Sequence, residues 1–172
     1  MERNYDKEFG MCKLVAGGIL VSAGIITVVV EFSVSKFSPF SLSQMMSPDQ
    51  FQLVSTVFGI VAGILAAISV GMRVAIRRTD PGRPLKFIAV WANQLIRRQS
   101  GAMAMLIPPM ALCEMIVVLG AVLFVLSGGE RMPFYIAVVT ALPLFLIAYP
   151  GEKDKETLAA LDKSIRDGMD RG

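Results

Sequence analysis

The chain has 172 residues, 54% of them apolar and 18% charged, a balance too rich in hydrocarbon for an ordinary soluble domain and expected of a chain that sits in lipid. Seventeen Lys and Arg against 14 Asp and Glu give a formal charge of +3, whose meaning depends on where the charges fall. The absence of histidine excludes imidazole metal sites, Ser-His-Asp triads and imidazole proton switches, and the length suits one compact bundle with no separate catalytic domain.

A helix crosses a hydrocarbon core of about 30 Å with around 20 apolar residues. The first run that meets this test is Leu14 to Val30, 17 residues without a charge. Its flank mixes acids and bases and no A-x-A-like site follows, so it reads as an uncleaved span and not as a signal peptide. From Phe32 to Phe51, Phe32, Phe37, Phe40 and Leu42 interleave with serine, a pattern for a segment lying along the interface or for an external loop broken by Pro39 and Pro48. The second run, Leu53 to Met72, has 20 residues. Along it Ser55, Gly59, Gly63, Ala67 and Gly71 recur at every fourth position, a chain of small-xxx-small motifs that permits close backbone approach. Packing within the bundle is favoured over self-association, because three other helices are at hand.

Seven basic residues lie between Arg73 and Arg98. Within that segment Phe87, Trp91 and Leu95 recur at i, i+4 and i+8, predicting an amphipathic helix at the membrane interface, or else an extension of the third span. The third run, Gln99 to Gly129, has 31 residues with one charge, Glu114, at its midpoint. An ionisable group at that depth costs about 2.5 to 3.5 kcal/mol on insertion scales. Two roles justify it: a proton or cation site, or an uncharged carboxyl hydrogen-bonded to another helix, with Ser22 and Thr140 as candidate partners at similar depth. Arg73, at the cytoplasmic edge, is not available to it. Pro108 and Pro109, one to two turns earlier, should bend the helix and leave carbonyls to line a site. Cys12 and Cys113 show neither a CxxC spacing nor a disulfide framework and read as inert apolar residues.

The fourth run, Met132 to Gly151, has 20 residues and holds Pro143, placed to kink it. Beyond it, Leu158, Leu161, Ile165 and Met169 predict a short amphipathic helix from about Lys155 to Met169 that packs on the bundle or on a partner. With these spans, 15 of the basic residues fall on one side and 2 on the other. The positive-inside rule then makes both termini and the Arg73 to Arg98 segment cytoplasmic in a cell inner membrane. The expected fold is all-α and polytopic: four transmembrane helices with an interfacial amphipathic helix (residues 1–151), and a charged cytoplasmic tail with a short helix (152–172).

The stretch Ala111-Leu112-Cys113-Glu114-Met115-Ile116-Val117-Val118-Leu119-Gly120, continuing apolar to Leu126, resembles the carboxylate-bearing second helix of rotor-ring proteolipids, the c subunits of ATP synthases. The small-residue helix from Ser55 to Gly71 and the polar loop Arg77-Arg78-Thr79-Asp80-Pro81 are similar to the rest of that hairpin. The resemblance implies that Glu114 carries a proton or Na⁺ and that Gly120 is a close-packing position. The helix from Glu114 to Gly120 and the Tyr149-Pro150 end of the last span also resemble those of small bacterial four-span membrane proteins.

The functional expectation is a non-enzymatic accessory, assembly or interaction subunit, whose partners are the lipid bilayer and either further copies or a membrane protein complex. The alternative is a proton- or Na⁺-translocating element built on Glu114. No GxGxxG or GxxxxGK[ST] cradle occurs and the basic residues border apolar runs, so nucleotide, nucleic acid and cofactor are not expected.

Overall fold

The structure is a computed structural model that describes residues 5–36, 47–78, 94 and 102–169. These form α1 (Tyr5–Lys36), α2 (Pro48–Arg78), a 3₁₀ turn (Ala102–Leu106), α3 (Ile107–Leu126), α4 (Arg131–Ala148) and α5 (Glu152–Met169), with no strand among the described residues. Four segments are long and apolar enough to cross a membrane: Asp6–Ser33, Pro48–Arg78, Met103–Leu126 and Arg131–Ala148. The Phe87, Trp91 and Leu95 segment, residues 79–81 and residues 37–46 lie outside the described residues.

Both early helices overrun their apolar cores. In α1 the helix continues through Phe32 and Ser33 to Lys36, so the start of the expected interfacial or loop segment is helical. The Ser33 hydroxyl donates to the Val29 carbonyl four residues back, at 2.8 Å. In α2 the helix begins at Pro48, five residues before the apolar run, for a local reason. Ser47 and Gln50 form a reciprocal capping box: Gln50 N–H donates to Ser47 Oγ (3.3 Å) and Ser47 N–H to Gln50 Oε1 (3.0 Å). Proline at the first helical position loses no hydrogen bond that the helix could have made.

The third span corrects an expectation. Pro108 and Pro109 do not bend the interior of a long helix; they stand in the first turn of α3, after the 3₁₀ turn, where proline is tolerated. The Pro109 carbonyl accepts hydrogen bonds from Ser69 Oγ of α2 (2.9 Å) and from Cys113 Sγ (3.1 Å), so it ties two helices together and does not line an open site.

Helix α3 is the hub, packing against α1, α2 and α4. Its buried side runs from Pro109 and Met110 through Cys113, Ile116, Val117 and Gly120 to Leu123 and Phe124, meeting Ala16, Ala23 and Val30 of α1 and Phe134, Ala141, Phe145 and Ala148 of α4. The α3–α4 connection is a Schellman turn. Gly129 N–H donates to the Phe124 carbonyl and Gly128 N–H to that of Val125, at 3.0 and 3.1 Å. Gly128 holds φ +74° and Gly129 φ +103°, a region costly for any residue with a Cβ. Just below this turn the helices nearly touch: a Cβ on Gly120 would lie 2.4 Å from that of Ala137 and 3.4 Å from the Phe134 Cα.

A smaller apolar cluster at the other end joins Phe9 and Cys12 of α1, Ile76 of α2, Met103, Met105 and Leu106 of the 3₁₀ turn, and Leu158 and Leu161 of α5. The tail helix starts at Glu152, a turn earlier than its apolar spacing predicts, and it docks on the bundle. The outward faces of the four long helices are hydrocarbon: Leu14, Val28, Leu53, Val139 and Leu146 are all more than half exposed.

Gly120→Val should therefore destabilise the fold by about 1 to 3 kcal/mol through overpacking against α4. Gly59→Ala, at a position with nothing within 4 Å of an added Cβ, should stay within about 0.5 kcal/mol of the parent. Thermal unfolding in detergent compares the two.

Candidate functional site

Glu114 projects from the flank of α3, half-buried, between the side packed on the bundle and the outward side of Met115 and Val118. Among the described residues it makes no hydrogen bond and no ion pair. Neither expected partner is joined to it. Thr140 is exposed on α4 and donates to the Ile136 carbonyl of its own helix (2.7 Å), and Ser22 is half-buried on α1. Helix starts place Pro108 and Pro109 at the base of α3, and Pro143 is exposed inside α4. The structure thus supplies a carboxyl on the well-packed helix of the bundle, without the second helix's hydroxyl that an interhelical bond requires. No group of three or more Cys, Asp or Glu side chains placed to hold a metal ion occurs among the described residues.

The small-residue stripe of α2 does not pack within the chain as the sequence suggests. Gly59, Gly63, Ala67 and Gly71 are exposed, and nothing lies within 4 Å of a Cβ built on any of the three glycines. The cause is the period. Four residues advance a helix about 40° beyond one full turn, so from Ser55 to Gly71 the stripe winds about 160° around α2. The packed side of α2 is marked by buried Ser69, Arg73 and Ile76. Ser55 begins near that side and Gly71 ends opposite it. Gly120, by contrast, lies on the buried side of α3 and is closed by α4.

The strongest electrostatic construction was not anticipated. Arg73 is fully buried, and its Nε donates to the Ile147 carbonyl (3.1 Å), while Nη2 donates to the Tyr149 carbonyl and to Asp154 Oδ2 (2.7 Å). Those carbonyls are the terminal acceptors of α4, where the helix dipole is negative. Asp154 is also buried; its Oδ1 takes a second contact from Arg77 Nε (3.3 Å) and its Oδ2 accepts the Gly151 N–H (2.7 Å), reaching back to cap the start of α5. One guanidinium and one carboxylate therefore join α2, the end of α4 and the start of α5. The Arg73 Nη1 is buried without a hydrogen-bond partner among the described residues, so the pair is tightly held but not fully satisfied.

Weaker ties repeat the theme at the surface. Lys13 pairs with Glu152 (2.8 Å) and lies 4.6 Å from the centre of the Phe9 ring. Lys155 bonds Asp6, which raises the lysine pKa above its ordinary value of 10.5. Because the folded value is the higher one, the lysine is charged and the tie is in place at neutral pH, and it is lost as pH climbs past the raised value. At the opposite end Tyr135 of α4 donates to Glu31 of α1.

No protein-family model matches the chain, and no curated protein or solved structure shows similarity to it.

Asp154→Ala should cost about 3 to 5 kcal/mol, because it strands a buried guanidinium. The double variant Arg73→Met with Asp154→Leu should recover only part of that loss, since it removes the stranded charge but leaves the Ile147 and Tyr149 carbonyls and the Gly151 N–H without their partners. Detergent-phase unfolding, with limited proteolysis to report release of α5, measures both.

Proposed function

We propose that the chain is a multi-pass inner-membrane protein with both termini cytoplasmic, acting as a non-enzymatic accessory or assembly subunit that offers α2 to another transmembrane helix. One observation carries this: the outward half of the α2 stripe, Ala67 and Gly71, is open to the surroundings, and a Cβ on Gly71 would meet nothing within 4 Å. In lipid, where helices gain nothing from hydrophobic burial against one another, a face without side chains is the surface on which backbones approach closely enough to gain dispersion contact. The membrane setting is supported by the exposed hydrocarbon of four helices, far more than a water-soluble monomer carries. The cytoplasmic assignment rests on the distribution of Lys and Arg.

Gly71→Leu, which meets open space in the isolated chain, should leave unfolding unchanged and abolish co-purification of a partner, or self-association, after gentle extraction. A wild-type protein that runs alone as a monomer overturns the proposal.

A second reading draws on a different observation, the mid-span Glu114 carboxyl with no partner among the described residues. Such a group is free to bind and release a proton or Na⁺, as the resemblance to rotor proteolipids implies. Glu114→Gln should then abolish ion movement in proteoliposomes while insertion is retained, and carbodiimide should modify Glu114 in the wild type. Unchanged flux in the variant excludes this role.

A further inference from the structure

One ionisable group stands inside the apolar layer with nothing to balance it. Glu114 is near the midpoint of the Met103–Leu126 span and, among the described residues, takes part in no hydrogen bond or ion pair. A carboxylate at that depth costs about 2.5 to 3.5 kcal/mol on insertion scales. Protonation removes the charge but leaves an O–H donor and a carbonyl acceptor unpaired in hydrocarbon, which is costly in its own right.

The bundle holds this side chain away from its interior. Helix α3 is fixed about its own axis by the close contact of Gly120 with Ala137 and by the bond from Ser69 Oγ to the Pro109 carbonyl. Glu114 lies six residues before Gly120, about 120° around the helix from that contact. It shares a line with Val118, Ala121 and Val125, spaced 4, 3 and 4, and Val118 and Val125 are 42% and 52% exposed. The carboxyl therefore belongs to an open edge of α3, where it is half-buried.

We infer that this edge receives a transmembrane helix of a different protein, one that carries a Lys or Arg at mid-membrane depth and pairs it with Glu114. The inference rests on the accessory-subunit reading above and adds a charged contact to the small-residue one on α2. Charge and depth decide the occupant. A second copy of the chain cannot supply the cation, because none of the four apolar runs, Leu14 to Val30, Leu53 to Met72, Gln99 to Gly129 and Met132 to Gly151, contains Lys or Arg. Arg73, buried at the inner end, is committed to Asp154 and to the end of α4. A metal cation would lack a ligand set, since no group of three or more Cys, Asp or Glu placed to hold one occurs among the described residues. A lipid headgroup stays at the surface, half a bilayer away. A cationic side chain borne on a helix does reach this depth; alone it carries an insertion cost like that of the carboxylate, and pairing offsets both.

The probe is a designed leucine–alanine transmembrane helix with one Lys at its midpoint, compared with the same helix carrying Gln or Leu there. The full chain, with a donor dye on its tail, and the helix, with an acceptor, are reconstituted in phosphatidylcholine vesicles and their energy transfer is titrated. The Lys helix should associate at least about ten times more tightly than the Gln or Leu helix, the ratio that about 1.4 kcal/mol gives. Glu114→Gln should remove that preference, and Glu114→Lys should transfer it to a helix with a central Glu. With no helix present, Glu114→Gln should unfold at the same temperature as the wild type, because the carboxyl bonds to nothing within the chain. Equal association of the three helices overturns the inference, as does a Lys preference that survives Glu114→Gln. Self-association of the wild type that Glu114→Gln abolishes also overturns it, since a second copy would then be the partner. The accessory-subunit reading fails on a separate result, a gently extracted wild type that runs alone as a monomer, whatever the probe helix does.

Discussion

A guanidinium and a carboxylate, both withdrawn from solvent, hold one end of this bundle together. Removing two charges from water costs several kcal/mol per ion even after relaxation, and only close geometry and further hydrogen bonds offset that cost. Here the offset is distributed. Arg73 takes two carbonyls from the end of α4 as well as the carboxylate, and Asp154 accepts from the Gly151 backbone and from Arg77. The two carbonyls and the Gly151 N–H would otherwise be unsatisfied helix termini. The pair therefore ties the end of α4 and the start of α5 to α2, and Leu158 and Leu161 of α5 join the cluster around Phe9 and Ile76. The surface pairs Lys13 with Glu152 and Lys155 with Asp6 add direction but little energy, being exposed to water on at least one side.

At the other end the constraint is steric. The approach of α3 to α4 at Gly120 and the two left-handed glycines of the turn require glycine for different reasons, one for lack of room and one for backbone conformation. Between the two ends, α3 is gripped by three neighbours along most of its length, so the position of Glu114 on its flank is fixed by a rigid helix, whichever role the carboxyl serves.

The four apolar helices and the tail helix were legible in the sequence because each rests on a one-dimensional property: the length of an uncharged run, or apolar residues spaced 3, 4 and 4 apart. Boundaries were less so, since the helices extend into polar sequence wherever a cap allows it, as at Ser47 and Gln50. That capping box was present in Ser47-Pro48-Asp49-Gln50 and could have been read. The prolines misled because a composition run does not show where a helix begins; a 3₁₀ turn just before them converts an expected interior kink into an ordinary first turn. The α2 stripe misled for an arithmetical reason, the difference between a repeat of four and a turn of 3.6. The Arg73–Asp154 pair was out of reach, because its members are separated by 81 residues and by two whole spans, and nothing local marks Arg73 as different from Arg77 or Arg78.

That separation sets an order of events during synthesis. Arg73 emerges with α2, but the carboxylate that neutralises it is made only after α3, the glycine turn and α4. At ~5 to 20 residues per second, 81 residues correspond to about 4 to 16 s of translation. In the membrane setting proposed above, the Arg73 guanidinium reaches water over that interval by extending its side chain, and it meets its carboxylate only once Asp154 arrives. The helix made after the four apolar ones thus supplies the partner for a charge on the second, and a chain cut short before residue 154 would carry those four helices without the group that locks them.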